Sequence, residues 1–263
     1  MTSNDVWIQP LRCGVISAAA EGFVAGMAGD VSLQVWAFVV GHPDGLVLFD
    51  TGMHPAIGVD PRAHIGPVAD LFRLDFGEAD QVDAQLARVD VDADDITRVV
   101  CSHLHFDHAG GNGLLPDVPV AVQQREWEHA RHEDGGAYTR ADWDTGQDLE
   151  LVDGEHDLFG DGRVVCVPTY GHTPGHQSLA VRLRGGDVLL TADACYLRAS
   201  LERLALPAFG WDLDRQRDVL GDFARLEAGG TTLVFGHDPD LSPDARRLLQ
   251  PAAPVTTARA SDA

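Results

Sequence analysis

Cys101-Ser-His103-Leu-His105-Phe-Asp107-His108-Ala-Gly-Gly111-Asn112 crowds three imidazoles and a carboxylate into six residues at the end of the apolar run Arg98–Cys101. In an extended segment alternate side chains share a side, so His103 and His105 point together. Asp107 and His108 begin the turn and face a second point nearby, and the glycines that follow permit a tight entry into a helix. Four such groups packed in a core are costly unless a cation or a hydrogen-bond network satisfies them. The stretch therefore predicts a strand end that delivers metal donors.

Further donors stand in comparable places. His172 follows the run Arg163–Val167, Asp193 follows Val188–Thr191, and His237 follows Thr232–Phe235. Loops at one edge of the sheets would bring them to the first cluster. Five histidines and two aspartates suffice for two metal ions with one carboxylate bridging.

The same runs set the fold class. Val35–Val40, Leu46–Phe49, Arg98–Cys101, Val118–Val122, Arg163–Val167, Ser178–Leu183, Val188–Thr191 and Thr232–Phe235 read as buried strands. Gly41-His-Pro-Asp-Gly45 joins the first two as a hairpin. Helical periodicity covers Ala79–Val89, Gln124–His132 and Leu213–Leu226, where Leu213, Val219, Leu220, Phe223 and Leu226 share a face, and a short helix is expected over Pro243–Leu249. Strands in two groups, each mixed with helices, predict an α/β (α+β) layered fold with two sheets packed in the middle. No linker divides the chain, so residues 1–250 are expected to form one domain and 251–263 a flexible tail. The segments Met53–Phe76, Glu126–Gln147 and Leu197–Trp211 break the strand rhythm and concentrate aromatic residues, which suits either satellite core or a pocket wall.

The chain of 263 residues carries 19 Lys+Arg against 41 Asp+Glu, a formal charge of -22. So acidic a surface repels phosphates and anionic headgroups, which excludes nucleic acid and membrane as main partners and favours an uncharged small molecule. The polar start, Met1-Thr-Ser-Asn-Asp5, carries no basic, apolar leader, and the expected location is cytoplasmic. Cys13, Cys101, Cys166 and Cys195 are widely spaced and read as buried, reduced thiols. His42, His54, His64, His129, His132 and His156 read as solvated surface residues.

With these residues in view, the sequence resembles the metallo-β-lactamase superfamily, and within it the N-acyl homoserine lactone lactonases. The superfamily likeness runs from Asp50-Thr51-Gly52 to His237; the narrower one rests on His103–Gly111, on His172-Thr-Pro-Gly-His-Gln-Ser178, and on Tyr196 three residues after Asp193. The resemblance implies a four-layer αββα sandwich binding two Zn2+ per chain, with Fe, Mn or Co as substitutes. His103, His105 and His172 would hold one ion, Asp107, His108 and His237 the other, and Asp193 would bridge them. An Asp at the bridging position is unlike the antibiotic-hydrolysing enzymes with a cysteine ligand, and His105 is unlike the glutamate of the di-iron flavoprotein branch. The implied reaction opens the lactone ring by attack of a hydroxide shared by the metals, with Tyr196 stabilising the oxyanion and Asp107 returning the proton. Asp50 and His176 would orient ligand imidazoles. Phe106, Leu71, Phe72 and Phe76 are the expected wall for the acyl chain. The partner is then a small lactone, and the protein a monomer or homodimer.

A thioester hydrolase resembling glyoxalase II shares the His-x-His-x-Asp-His core, and a lactonase for another small lactone is a nearer alternative. No cluster of Lys or Arg offers itself to glutathione carboxylates, although Arg140 and Arg198 are single candidates. A metal-binding sensor would not need so complete a donor set, and the charge disfavours a nuclease of the same superfamily.

Overall fold

The computed structural model describes residues 5–133 and 137–243. Strands run over Trp7–Ala19 (β1), Asp30–His42 (β2), Gly45–Phe49 (β3), Arg73–Asp75 (β4), Ile96–Val100 (β5), Val120–Gln123 (β6), Leu149–Val152 (β7), His156–Asp157 (β8), Val164–Pro168 (β9), Gln177–Leu183 (β10), Gly186–Leu190 (β11) and Thr232–Val234 (β12). The α-helices are Pro61–Ile65 (α1), Val82–Arg88 (α2), Gln124–Ala130 (α3), Arg140–Trp143 (α4), Arg198–Arg203 (α5) and Leu213–Ala228 (α6). One sheet has the order β4-β1-β2-β3-β5-β6-β7, the other β12-β11-β10-β9-β8.

Three apolar layers separate four layers of structure. Ile8, Phe38, Val40, Phe49 and Val100 from the first sheet meet Val164, Leu179, Val181, Val188 and Val234 from the second. The other face of the first sheet, with Val35, Ala37, Leu48 and Val99, packs on Val82 and Leu86 of α2 and Ala130 of α3. Leu189 and Leu233, one residue out of phase with the inter-sheet set, turn instead to Leu220 and Phe223 of α6. The period of two along each strand thus feeds two different cores.

All eight expected strands form. β1 is absent from the sequence reading because Gln9, Pro10, Arg12 and Gly14 interrupt its apolar pattern. Pro10 is tolerated because β4 pairs only with residues 15–17 of β1, leaving an open edge beside the proline. The hairpin is as expected, with His42 paired to Gly45. Leu226 departs from its expected burial: it is 44 % exposed, while Gln216, Leu220 and Phe223 carry the buried face of α6. The expected helix beyond Pro243 and the tail 251–263 lie outside the described residues. No described helix is long and apolar enough to cross a membrane.

Strands β3 and β5 run parallel, as do β11 and β12. Parallel neighbours end at the same edge, so the segments after them, which carry Asp50, the Cys101–Asn112 stretch, Asp193 and His237, leave from shared edges. This is the fold's contribution to the site.

Candidate metal centre

The stretch after β5 folds back against the loop after β3. Thr51 N–H donates to His108 O at 2.7 Å, and the Thr51 hydroxyl lies 3.0 Å from Asn112 Oδ1. Gly110 and Gly111 are required by this closeness: an added Cβ would stand 2.3 Å from His54 N and 2.3 Å from Thr51 O respectively. The turn therefore has one way to lie, and it aims His103, His105, Asp107 and His108 at the ends of β9, β11 and β12.

There the expected donors meet. His103, His105 and His172 form one group and Asp107, His108 and His237 another, each with candidate ligand atoms within 4.8 Å of one another. Asp193 stands between them, its Oδ1 3.1 Å from His108 Nε2 and 3.0 Å from His237 Nε2, its Oδ2 3.5 Å from His172 Nε2 and 3.9 Å from His103 Nε2. Ala192, just before it, is held left-handed at φ 44, and Gln216 Nε2 of α6 donates to the Asp193 carbonyl at 3.0 Å.

The imidazoles have a defined orientation. Asp50 accepts the Ser102 N–H at 2.7 Å, the Ser102 O–H at 2.8 Å and the His108 Nδ1–H at 2.9 Å. With its proton on Asp50, the Ser102 oxygen, 3.0 Å away, accepts from His103 Nδ1. His237 Nδ1 donates to Gln34 O at 2.8 Å. Once Nδ1–H is engaged, each of these rings turns an Nε2 lone pair inward. His103 Nε2, His108 Nε2 and Asp193 Oδ1 are buried with no aligned hydrogen-bond partner. Within the first group His172 Nε2 and His105 Nδ1 lie 3.2 Å apart, and orphaned donor atoms converging on so small a buried space fit divalent cations.

Electrostatics divide the site. Burial and the neighbouring imidazoles push His103 well below the usual histidine value, and burial takes His105 and His172 down to about 3. Burial also opposes charge on His108 and His237, but Asp193 and Asp107 outweigh it and move both up. Asp193 is held well below the usual carboxylate range by His108 and His237 against its burial, while burial raises Asp107. Three neutral imidazoles and a committed carboxylate are ready-made ligands.

Above the donors opens a cavity of about 410 Å³. Asp107, Asp193, Tyr196 and His237 form its floor, and Ile16, Phe23, Leu33, Val68, Phe72 and Phe106 are among its walls. The Tyr196 ring stacks on His237 at 5.4 Å and its hydroxyl lies 3.3 Å from His172 Nδ1. Burial and the Asp193 and Asp107 charges hold that hydroxyl well above the ordinary tyrosine range, so it keeps its proton.

Residues 31–237 match the metallo-beta-lactamase superfamily. The chain belongs to the metallo-beta-lactamase superfamily. Within this superfamily it is 38 % identical to the N-acyl homoserine lactonase AttM of Azorhizobium caulinodans, over 93 % of this chain and 97 % of that one. Among solved structures it is similar to an N-acyl homoserine lactone hydrolase with the product N-hexanoyl-L-homoserine at its catalytic metal centre, at TM-score 0.79 and 29 % identity over 91 % of this chain and 95 % of that one. A variant of the Bacillus thuringiensis protein AiiA with N-decanoyl-L-homoserine in its active site is similar at TM-score 0.79 and 27 % identity, over 91 % and 95 %.

Most expected residues of this superfamily member gather at the centre, with corrections. His176, expected to orient a ligand, lies 2.8 Å from Thr169 Oγ1 through Nδ1 and packs its ring 5.2 Å from His103 without bonding any expected ligand. Leu71, Phe72 and Phe106 line the cavity, but Phe76 does not: it lies against the backbone at Gly14 and Gly58. His42 is buried, stacked on Phe159 and 3.0 Å from Asp161. His54 and His64 are half-buried. Their rings stack at 4.3 Å, and His64 Nε2 lies 2.7 Å from the buried Asp142. His54 Nδ1 accepts the Ala56 N–H, and the three residues form a further group whose candidate ligand atoms lie within 4.8 Å of one another. The sequence reading passed over Ser102, although it adjoins His103, and Gln34, which acts through its backbone carbonyl and leaves no side-chain signal. Ile16 and Phe23 were missed along with β1.

Proposed function

We propose that this chain opens the lactone ring of N-acyl homoserine lactones with two Zn2+ ions, quenching signalling that uses them. The reading rests on one observation above the rest: a buried cluster of imidazole and carboxylate donors, some with no hydrogen-bond partner, presents His105, Asp107, Asp193 and His237 to an apolar cavity that has no Lys or Arg in its lining. The similarity to lactonases across nearly the whole chain supports the substrate class.

His103, His105 and His172 would hold one ion, Asp107, His108 and His237 the other, with Asp193 between them. When bound, the pair supplies a Lewis acid for the carbonyl and a water acidified toward neutral pH. The chain's residues do the rest. The apolar walls take the acyl chain and keep bulk water from the reacting carbonyl. The Tyr196 hydroxyl donates to the oxygen that gains negative charge. Asp107, partly open to the cavity, passes a proton to the departing ring oxygen. The lone cations considered for a glutathione thioester are engaged elsewhere: Arg140 pairs with Asp144 and Arg198 with Glu227. Four buried, unpaired thiols fit a reducing cytoplasm.

Acid release by zinc-loaded protein on hexanoyl and decanoyl homoserine lactones, beside a glutathione thioester, tests the reading. Lactone opening that disappears on chelation, returns with zinc and collapses in Asp107→Asn is expected. Thioester cleavage without lactone opening would overturn it.

A further inference from the structure

Glu126, in the first turn of α3, is completely buried. Its Oε1 accepts the Leu104 N–H at 3.1 Å and the Tyr138 hydroxyl at 2.8 Å; its Oε2 accepts the Thr173 hydroxyl at 2.6 Å and the Gly175 N–H at 3.1 Å. A buried carboxylate is costly, and four donors are what such a group needs to stay in place. The identity of those donors is informative. Leu104 separates His103 from His105, and Thr173 directly follows His172. Tyr138 stands edge-on to the His105 ring at 4.6 Å. Gly175 lies so close to α3 that an added Cβ would come within 2.2 Å of Glu126 N. One side chain therefore ties together two loops that are far apart in sequence, at the residues adjoining three expected ligands.

The Asp50 network reaches His103 and His108 and stops short of His105 and His172. We propose that Glu126 is the positioning residue for the His103–His105–His172 group, setting the separation of the β5 and β9 loops so that their imidazoles converge on one ion. This assignment rests on the dinuclear reading above. Glutamine cannot replace the carboxylate, because its amide NH2 would face two of the four donors whichever way it turned.

The test counts ions. Metal-loaded wild type, Glu126→Gln and Thr173→Val are dialysed against a weak chelator, and metal per chain is measured alongside the melting temperature. Wild type should retain two ions. Glu126→Gln should release one of them at roughly 10–100-fold lower chelator concentration, as loss of a partner behind the ligands does in other metal sites, while keeping the second. Thr173→Val removes a single bond, should show the same one-ion loss at smaller magnitude, and decides the matter if the glutamine variant does not fold. A purely structural glutamate would lower the melting temperature and leave both ions as tightly held as in wild type; that result overturns the assignment. Wild type holding fewer than two ions would instead sink the dinuclear reading, and this assignment with it.

Discussion

Asp50 Oδ2 accepts the Nδ1–H of His108 at 2.9 Å, from a backbone held in the left-handed region at φ 60. A non-glycine residue keeps such a conformation when its surroundings insist on it, and here three donors do so. Through Ser102, the same carboxylate also settles which nitrogen of His103 faces the centre.

Asp50→Asn should therefore reach both imidazoles at once. An amide sets its NH2 against the Ser102 N–H in one orientation and against the Ser102 O–H and His108 Nδ1–H in the other, and it removes the charge, so metal affinity is expected to fall on the order of 10–100-fold, with kcat/KM following it. Metal titration of the purified variant checks this, and wild-type affinity would remove Asp50 from the centre.

Tyr196→Phe deletes one hydroxyl and leaves the stacking on His237 in place. If that hydroxyl meets the developing oxyanion, kcat should drop on the order of a hundredfold with KM little changed. Steady-state kinetics on one lactone suffice. A rise in KM alone would make Tyr196 a wall of the cavity rather than a participant.

Ala18, half-buried in β1, lines the cavity. Ala18→Phe should fill space used by the far end of a long acyl chain. Each methylene excluded costs about 0.8 kcal/mol, near fourfold in kcat/KM. The variant should lose decanoyl homoserine lactone preferentially and spare the hexanoyl substrate. Equal losses on both would place the chain elsewhere.

Acid should destabilise the metal-free protein. Burial drives His105 and His172 down to about 3 and His103 and His176 well below the usual 6.5. All four are neutral in the fold, whereas the unfolded chain's histidines take up protons as pH falls through about 6.5. The unfolded state binds more protons there, so the stability these groups contribute is complete above that pH and drains away toward 3. His108 and His237 have raised values, so their contribution grows as pH falls toward about 6.5 and is level below it; they oppose the trend over that part of the range, two groups against four. Chelator-stripped protein should melt lower at pH 5.5 than at pH 7.5. An equal or higher melting temperature at pH 5.5 would contradict the buried neutral assignment.

Much of this architecture was legible in the sequence because its signals are local. A buried strand writes itself as a β-branched run, and ligands that follow strand ends keep that position whatever the loops do. What escaped was set by partners remote in sequence. β1 hides because Pro10 and Gly14 look like breakers until the open edge beside Pro10 is seen. Glu126 reads as an ordinary exposed helix residue, since nothing nearby reveals that Leu104, Thr173 and Gly175 will all donate to it. His54 and His64 looked solvated for the same reason: their company, Asp142, arrives from a segment almost eighty positions on. Phe76 was placed in the wall by its neighbours in sequence, and the short β4 that precedes it turns it toward Gly14 instead.

β12 has consequences for synthesis. His237 follows the last described strand, whereas four of its partner donors lie between 103 and 108. A ribosome making this chain from its N-terminus exposes those four while β9, β11 and β12 are still unmade. The nascent protein thus carries an incomplete cluster through about half of its translation, with the donors from the later strands still missing. Only when the stretch through His237 has emerged and β12 has paired with β11 does the cage shut.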